Sequence, residues 1–315
     1  QFRKKIEKKI NNYITQKSND YDVNIDFVIN EERNKKNNSK KTLNKIKNII
    51  AVASGKGGVG KSTVSSNLAS SLSILGKNVG LIDADIYGPS IPLMFDVENE
   101  KPLVTNIEGD SLIEPVVAYG VKLLSIGFFS KPSDAIVWRG PMASKALNQM
   151  IHQANWGDLD YLIIDLPPGT GDVQLTLCQK IPVSGAVIVT TPQDISLIDA
   201  RKGLKMFEKV EVPVLGVIEN MSSFICPECG NMESIFGEGG GEQLAQENGV
   251  KLLGELPLQK QIREEMDKGT PTVSQNPESP TSMAFREIAR KMAATLSMRK
   301  KDYSSVFPKI VIQND

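Results

Sequence analysis

The sequence predicts an α/β protein built on a doubly wound, mostly parallel sheet, and three observations predict it. Short, nearly continuous Val/Ile/Leu runs alternate with helix-length segments from Ile46 onward. Runs without polar alternation suit strands covered on both faces by helices, which is the condition of a parallel sheet. The first run, 48–54, leads straight into the glycine-rich stretch Gly55-Lys56-Gly57-Gly58-Val59-Gly60-Lys61-Ser62-Thr63. Two later runs close on aspartate, Leu81-Ile82-Asp83-Ala84-Asp85 and Leu162-Ile163-Ile164-Asp165. Acids therefore collect at the carboxyl ends of strands, where open α/β sheets bind their ligands.

In chain order, strands are expected over 48–54, 79–82, 122–126, 161–164, 186–191, 214–218 and 251–253. Helices are expected over 62–75, 142–154, 172–179, 195–210, 241–248, 259–267 and 282–296, where apolar residues recur at helical spacing. Ahead of this domain, Phe2, Ile6 and Ile10 keep a helical spacing, and Val23 to Ile29 alternates like a half-buried strand. The organisation expected is a partial α+β unit over 1–30, a flexible polar linker over 31–45, a P-loop domain over 46–298 and a tail over 299–315. The linker is rich in Lys, Asn, Glu and Ser, with almost nothing to bury. The tail is either an edge strand or a disordered end.

Composition narrows the function. The 315 residues carry 37 Lys+Arg against 37 Asp+Glu, so no global field draws the chain to nucleic acid or to an anionic membrane. Neither partner is expected. No run approaches a membrane span, and three cysteines cannot make a disulfide framework. A cytoplasmic location is the expectation.

The glycine-rich stretch has the order strand, loop, helix that a P-loop requires. Its N–H groups and the helix N-terminus converge on one place, so anionic oxygens bind there. Gly55, Gly57, Gly58, Val59 and Gly60 form the cradle with Thr63, Lys61 reaches the β/γ-phosphates, and Ser62 offers its hydroxyl to Mg²⁺. ATP and Mg²⁺ are the expected ligands.

Asp165, followed by Leu166-Pro167-Pro168-Gly169, has the form of a Walker B aspartate with a switch glycine. It would hold Mg²⁺ directly or through water, while the Gly169 amide senses the γ-phosphate. Asp85 is the candidate to orient the attacking water, because phosphoryl transfer needs positioning more than a strong base. Asp83 is either a Mg²⁺-side group or a structural partner. An ordinary cradle needs no lysine one residue after its first glycine. Lys56 is then either a solvated loop lysine or a cation that reaches across a two-fold interface to a partner's phosphates.

Cys226 and Cys229 are separated by two residues in a segment expected to be a loop that continues to Gly237. Two thiolates grip a metal but do not complete a site, since structural zinc and iron-sulfur clusters usually take four ligands. Cys178 lies in an apolar helix, and His152 is the single histidine, on another helix. A two-fold dimer would supply both cysteines twice, on the axis. A redox CxxC, a dimer-bridging zinc and a 4Fe-4S cluster all remain open on spacing alone.

KGGVGKST with DADIYGPS and DLPPGTGD resembles the deviant Walker A (SIMIBI-type) ATPases that include MinD, ParA and the nitrogenase iron protein, which sandwich nucleotide between two subunits. With VWRGPM at 137–142, ENMSSFICPECG and FGEGGGEQLA added, the chain from Ile46 to Leu296 resembles the Mrp-type iron-sulfur cluster carriers. The 1–30 segment is similar to the second half of a small domain that many bacterial members carry. The resemblance implies a homodimeric, slow, Mg²⁺-dependent ATPase that holds a labile 4Fe-4S cluster on Cys226 and Cys229 and passes it to apo iron-sulfur proteins. It also implies adenine recognition by Asn220, at the end of a late strand, with backbone near Glu255 to Leu258. The alternatives are a MinD/ParA-like positioning ATPase, or an ATPase with a dimer-bridging structural zinc.

Overall fold

The computed structural model describes residues 43, 45–86, 88–107, 110–129, 140–226 and 228–298. The chain divides after Ser39 into two units, and every described residue belongs to the second. The expected α+β unit and the C-terminal tail lie outside the described residues, as does the linker apart from Leu43 and Lys45.

A nine-stranded sheet organises this unit. Its central strands are β1 (Ile46–Ala53), β2 (Val79–Asp83), β6 (Val121–Ser125), β7 (Leu159–Asp165), β8 (Gly185–Thr190) and β9 (Val214–Ile225). They lie in the order β9-β8-β1-β7-β2-β6 and pair in parallel, with β11 (Leu252–Leu258) parallel to β9 on the far side. Antiparallel strands finish the edges: β5 (Val116–Ala118) on β6, and β10 (Met232–Glu233) on β9. The mostly parallel, doubly wound architecture is as the sequence predicts.

Helices cover both faces. Along β1, Ile49, Ala51 and Ala53 point into one core and Ile50 and Val52 into the other. The first core is closed by α3 (Gly140–His152), α4 (Asp172–Lys180), α5 (Asp194–Lys209) and α6 (Gly240–Glu247), through Leu147, Leu177, Phe207 and Leu244. The second is closed by α1 (Lys61–Ile74), by the short α2 (Ile91–Met94) and, near the C-terminus, by a long helix over Pro280–Ser297, through Leu68, Leu72, Ile91, Phe285 and Met292. Full burial of each such side chain contributes roughly 1.5–3 kcal/mol. Helix α1 is buried on most of its circumference, and its Ser65, Ser66, Ala69, Ser70 and Ser71 are small enough to let the sheet and neighbouring helices approach.

The structure differs from expectation in several places. Strand β9 does not stop at Ile218 but runs to Ile225, because β11 pairs along it as far as Phe224. Asn220 accordingly lies inside a strand, and the segment before Cys226 is strand rather than loop. Strand β11 likewise extends from the expected 251–253 to Leu258. A separate hairpin, β3 (Leu103–Ile107) with β4 (Asp110–Glu114), fills a stretch where no element was expected.

Candidate functional site

The phosphate cradle forms where β1 hands over to α1. Val59 is buried in the second core and anchors the middle of the loop, while Gly57 and Gly58 stay exposed. Gly60 has φ 80° and precedes α1, a backbone conformation glycine adopts without steric cost. Gly55 packs so closely on α5 that a Cβ would stand 2.2 Å from the carbonyl carbon of Asp199. The first turn of α1 holds no acidic residue, which leaves its positive end free for an anion. Thr63 is half-buried beside it, and its carbonyl accepts from the Asn67 amide at 3.0 Å.

Beneath the cradle, β2 and β7 are in register with Asp83 opposite Asp165. Asp165 is fully buried, and its carboxylate gathers three side chains of α1. Lys61 Nζ lies 2.7 Å from Oδ2, Ser62 Oγ donates to the same oxygen at 2.6 Å, and Ser65 Oγ donates to Oδ1 at 2.6 Å. The structure thus brings the expected phosphate lysine, Mg²⁺ hydroxyl and Walker B acid into one cluster, and adds Ser65. The i, i+3 spacing of Ser62 and Ser65 on one helix face was the available signal for it.

Asp83 has a different set of partners. Its Oδ1 accepts from the Asp85 N–H at 3.1 Å, and its Oδ2 from the N–H groups of Ser90 and Ile91 and from Ser125 Oγ, at 3.0 to 3.1 Å. Burial, and then the nearby charge of Asp165, push its carboxyl up to about 7, against the pull of these hydrogen bonds and of Lys61. Its oxygens are occupied in shaping the turn that follows β2. Asp85 sits half-buried in that turn.

Gly169 has φ 100°, and its N–H donates to the Ser54 carbonyl at 2.9 Å, tying the segment after β7 to the end of β1. Lys56 is half-buried in the loop, its carbonyl accepting from Ser54 Oγ at 2.9 Å. Asn220 is buried against the cradle: its Nδ2 donates to the Val59 carbonyl at 2.9 Å, and a Cβ on Gly60 would lie 2.3 Å from that nitrogen. The cradle would be spoiled by any side chain at Gly60, and its polar groups fit a triphosphate with its magnesium ion.

The cysteine pair sits at the tip of the β9–β10 hairpin. Cys226 is half-buried and Cys229 exposed. A tight turn joins them, with Gly230 N–H donating to the Cys226 carbonyl and Cys226 N–H to the Asn231 carbonyl, each at 2.9 Å. The backbone N–H groups of Cys229 and Glu228 face the Cys226 sulfur and, with the Cys229 thiol, hold its pKa below the usual thiol value. Such a turn stabilises a thiolate and suits a soft metal centre. Among the described residues, no group of three or more His, Cys, Asp or Glu side chains could hold a metal. Cys178 is buried in α4 with its thiol pushed up to about 12 by desolvation, an inert core residue.

Cradle, helix and strand-end acid together define a P-loop NTPase. The model of the family described as ParA, NUBPL iron-transfer P-loop NTPase, matches residues 45–293, and the chain belongs to that family. An iron-sulfur cluster carrier protein of Escherichia coli (strain K12) is 57% identical over 254 residues, 81% of this chain and 68% of that one. The iron-sulfur cluster transfer protein NUBPL of Dictyostelium discoideum is 47% identical over 264 residues, 84% of this chain and 81% of that one. The nucleotide-binding protein of Archaeoglobus fulgidus, solved in complex with ADP and with Co, superposes with a TM-score of 0.67 at 39% identity, covering 79% of this chain and 95% of that one. The cell-division ATPase MinD of Pyrococcus furiosus shares the fold at 24% identity, with a TM-score of 0.59 over 79% of this chain and 99% of that one. The resemblance drawn from the motifs is borne out. Among the described residues, no helix is long and apolar enough to cross a membrane.

Proposed function

We propose that the chain is a cytoplasmic, ATP-dependent carrier of iron-sulfur clusters. Two copies hold one labile 4Fe-4S cluster as cargo between their Cys226 and Cys229 pairs and pass it to apo iron-sulfur proteins. The observation that carries this reading is the Cys226 turn: two backbone N–H groups face a sulfur that has one neighbouring thiol and no further ligand among the described residues. A second copy completes a four-thiolate site. The names of the relatives at 57% and 47% identity agree with this cargo.

The nucleotide site supports a slow, Mg²⁺-dependent ATPase. The cradle amides and Lys61 bind the phosphates, and Ser62 and Asp165 take the magnesium side, directly or through water. Asp85 orients a water toward the γ-phosphorus, the bond to the β-phosphate oxygen breaks, and ADP and phosphate leave. Lys56 of each copy offsets charge on the other's phosphates, the Gly169 amide exchanges its Ser54 partner for the γ-phosphate, and Asn220 faces the adenine.

Anaerobic reconstitution with counts of iron, sulfide and zinc tests the reading. The expected yield is about two iron and two sulfide per chain, lost in the Cys226→Ala, Cys229→Ala variant. Zinc alone in the wild type, or undiminished iron in the double variant, overturns it.

A further inference from the structure

Strand β9 is one continuous strand with two different surroundings. Up to Asn220 it lies inside the sheet, with Glu219 opposite Thr190 of β8 and Asn220 opposite Leu256 of β11. From Phe224 it forms the cysteine hairpin, with Phe224 opposite Glu233 and Ile225 opposite Met232. Between these parts the register slips: β9 advances from Asn220 to Phe224 while β11 advances only from Leu256 to Leu258. The surplus residues bulge out of the ladder, held by Ser222 Oγ donating to the Leu256 carbonyl at 3.2 Å.

Met221, at the start of this bulge, has φ 57°. Three other described non-glycine residues share the left-handed region, and each has an ordinary reason. Asp96 and Glu211 follow helix ends, and Tyr119 turns the chain between β5 and β6. Met221 alone of the four lies within a strand, and methionine has no polar atom with which to favour that conformation. Local strain of this kind persists only where the surroundings impose it. The surroundings here are the phosphate cradle: a Cβ on Gly60 would stand 3.8 Å from Met221 Cε as well as 2.3 Å from Asn220 Nδ2. Two consecutive residues of β9 therefore lie beside the loop that receives the phosphates, Asn220 bonded to the Val59 carbonyl and the Met221 methyl near Gly60, and Cys226 follows Met221 by five residues.

We propose that residues 220–223 form a nucleotide-responsive joint. Filling the cradle displaces Asn220 and Met221, and the bulge converts that displacement into a change of setting of the Cys226–Cys229 turn within the same subunit. This rests on the proposed carrier function for its purpose, but not for its test. The hairpin beyond Phe224, paired with β10 alone, can follow such a movement, whereas β9 up to Asn220 is clamped between β8 and β11.

The test is anaerobic alkylation of the cluster-free protein by iodoacetamide, with rates at Cys226 and Cys229 read by mass spectrometry. Rates are compared without nucleotide and at measured saturation with Mg·ADP or with a non-hydrolysable ATP analogue. Buried Cys178 contributes little background. Since alkylation follows thiolate fraction and access, the wild-type rate at Cys226 is expected to change about threefold or more on saturation. In Met221→Gly, which accepts the left-handed conformation and removes the side chain beside Gly60, the change is expected to shrink below about 1.3-fold at equal saturation. Met221→Asn, also tolerant of that conformation, repeats the measurement should the glycine variant fold poorly. A saturated wild type whose cysteine rates do not respond, or a variant that responds as the wild type does, overturns the joint. The iron and sulfide count decides the carrier reading separately, so the two can fail independently.

Discussion

Replacing Ser65 by alanine removes one hydroxyl from the most buried part of the nucleotide site, and its cost follows from the geometry. The Ser65 hydroxyl donates at 2.6 Å to Asp165 Oδ1, an oxygen of a carboxylate with no solvent exposure. A hydrogen bond to a charged group contributes roughly 1.5–3 kcal/mol, and its loss leaves that oxygen underserved. Alanine returns roughly 0.5 kcal/mol as the better helix former at a mid-helix position. The net expectation is a destabilisation of about 1–2.5 kcal/mol, or a melting temperature lower by about 2–10 °C for a domain of this size. Thermal unfolding by circular dichroism and urea titration measure it, with the urea slope unchanged. The same carboxylate is the proposed magnesium-side acid, so Mg²⁺-dependent binding of a fluorescent ATP analogue should weaken in Ser65→Ala. A melting temperature within about 1 °C of wild type would show that the bond carries no net stability, and the reasoning would be wrong.

Two further outcomes follow from distances and titration. Gly60→Ala forces a left-handed alanine and drives a methyl into Asn220 Nδ2, 2.3 Å away, so the Asn220 bond to Val59 breaks. The combined cost is about 2–3 kcal/mol, and binding of the fluorescent analogue should be lost; wild-type affinity would refute the close packing. For Asp83, the folded protein retains a proton between the ordinary value of 3.8 and about 7 that the unfolded chain has released. That group's contribution to stability therefore falls as pH rises through this window. Asp83→Asn should be flatter in its pH dependence, as urea midpoints at about pH 5 and about pH 8 would show. An equal slope in both proteins would locate the titration elsewhere.

The parts legible in the sequence are those whose signals are local. Glycines at 55 to 60, a lysine and serine opening a helix, and aspartates ending apolar runs each act within a few residues of their neighbours, so spacing alone located them. The second half of β9 was hidden because Ser222 and Ser223 look like loop residues and Met221 breaks the alternation. What makes it a strand is β11, more than thirty residues later, and no local pattern announces that pairing. The β3–β4 hairpin escaped for a related reason: Leu103, Val104 and Ile107 are exposed, so no buried face imprinted a period on the sequence. Ser65 could be placed on the face of Ser62, but its importance depends on Asp165, a hundred residues away. For the cysteines, sequence supplied two thiols, and folding added the amides aimed at one of them.

The ion pair between Lys61 and Asp165 gives the cradle an exchange economy. With exposures of 5% and 0%, each charge answers the other in a place water hardly reaches. An anion that draws the ammonium upward strands the carboxylate without a counter-charge, a condition a buried acid resists by several kcal/mol. In the proposed ATPase, a divalent cation arriving with the phosphates would fill that vacancy as it opens. On the proposed ATPase reading, nucleotide and metal are expected to bind cooperatively, each weakly alone, because the Lys61–Asp165 pair resists being half-exchanged.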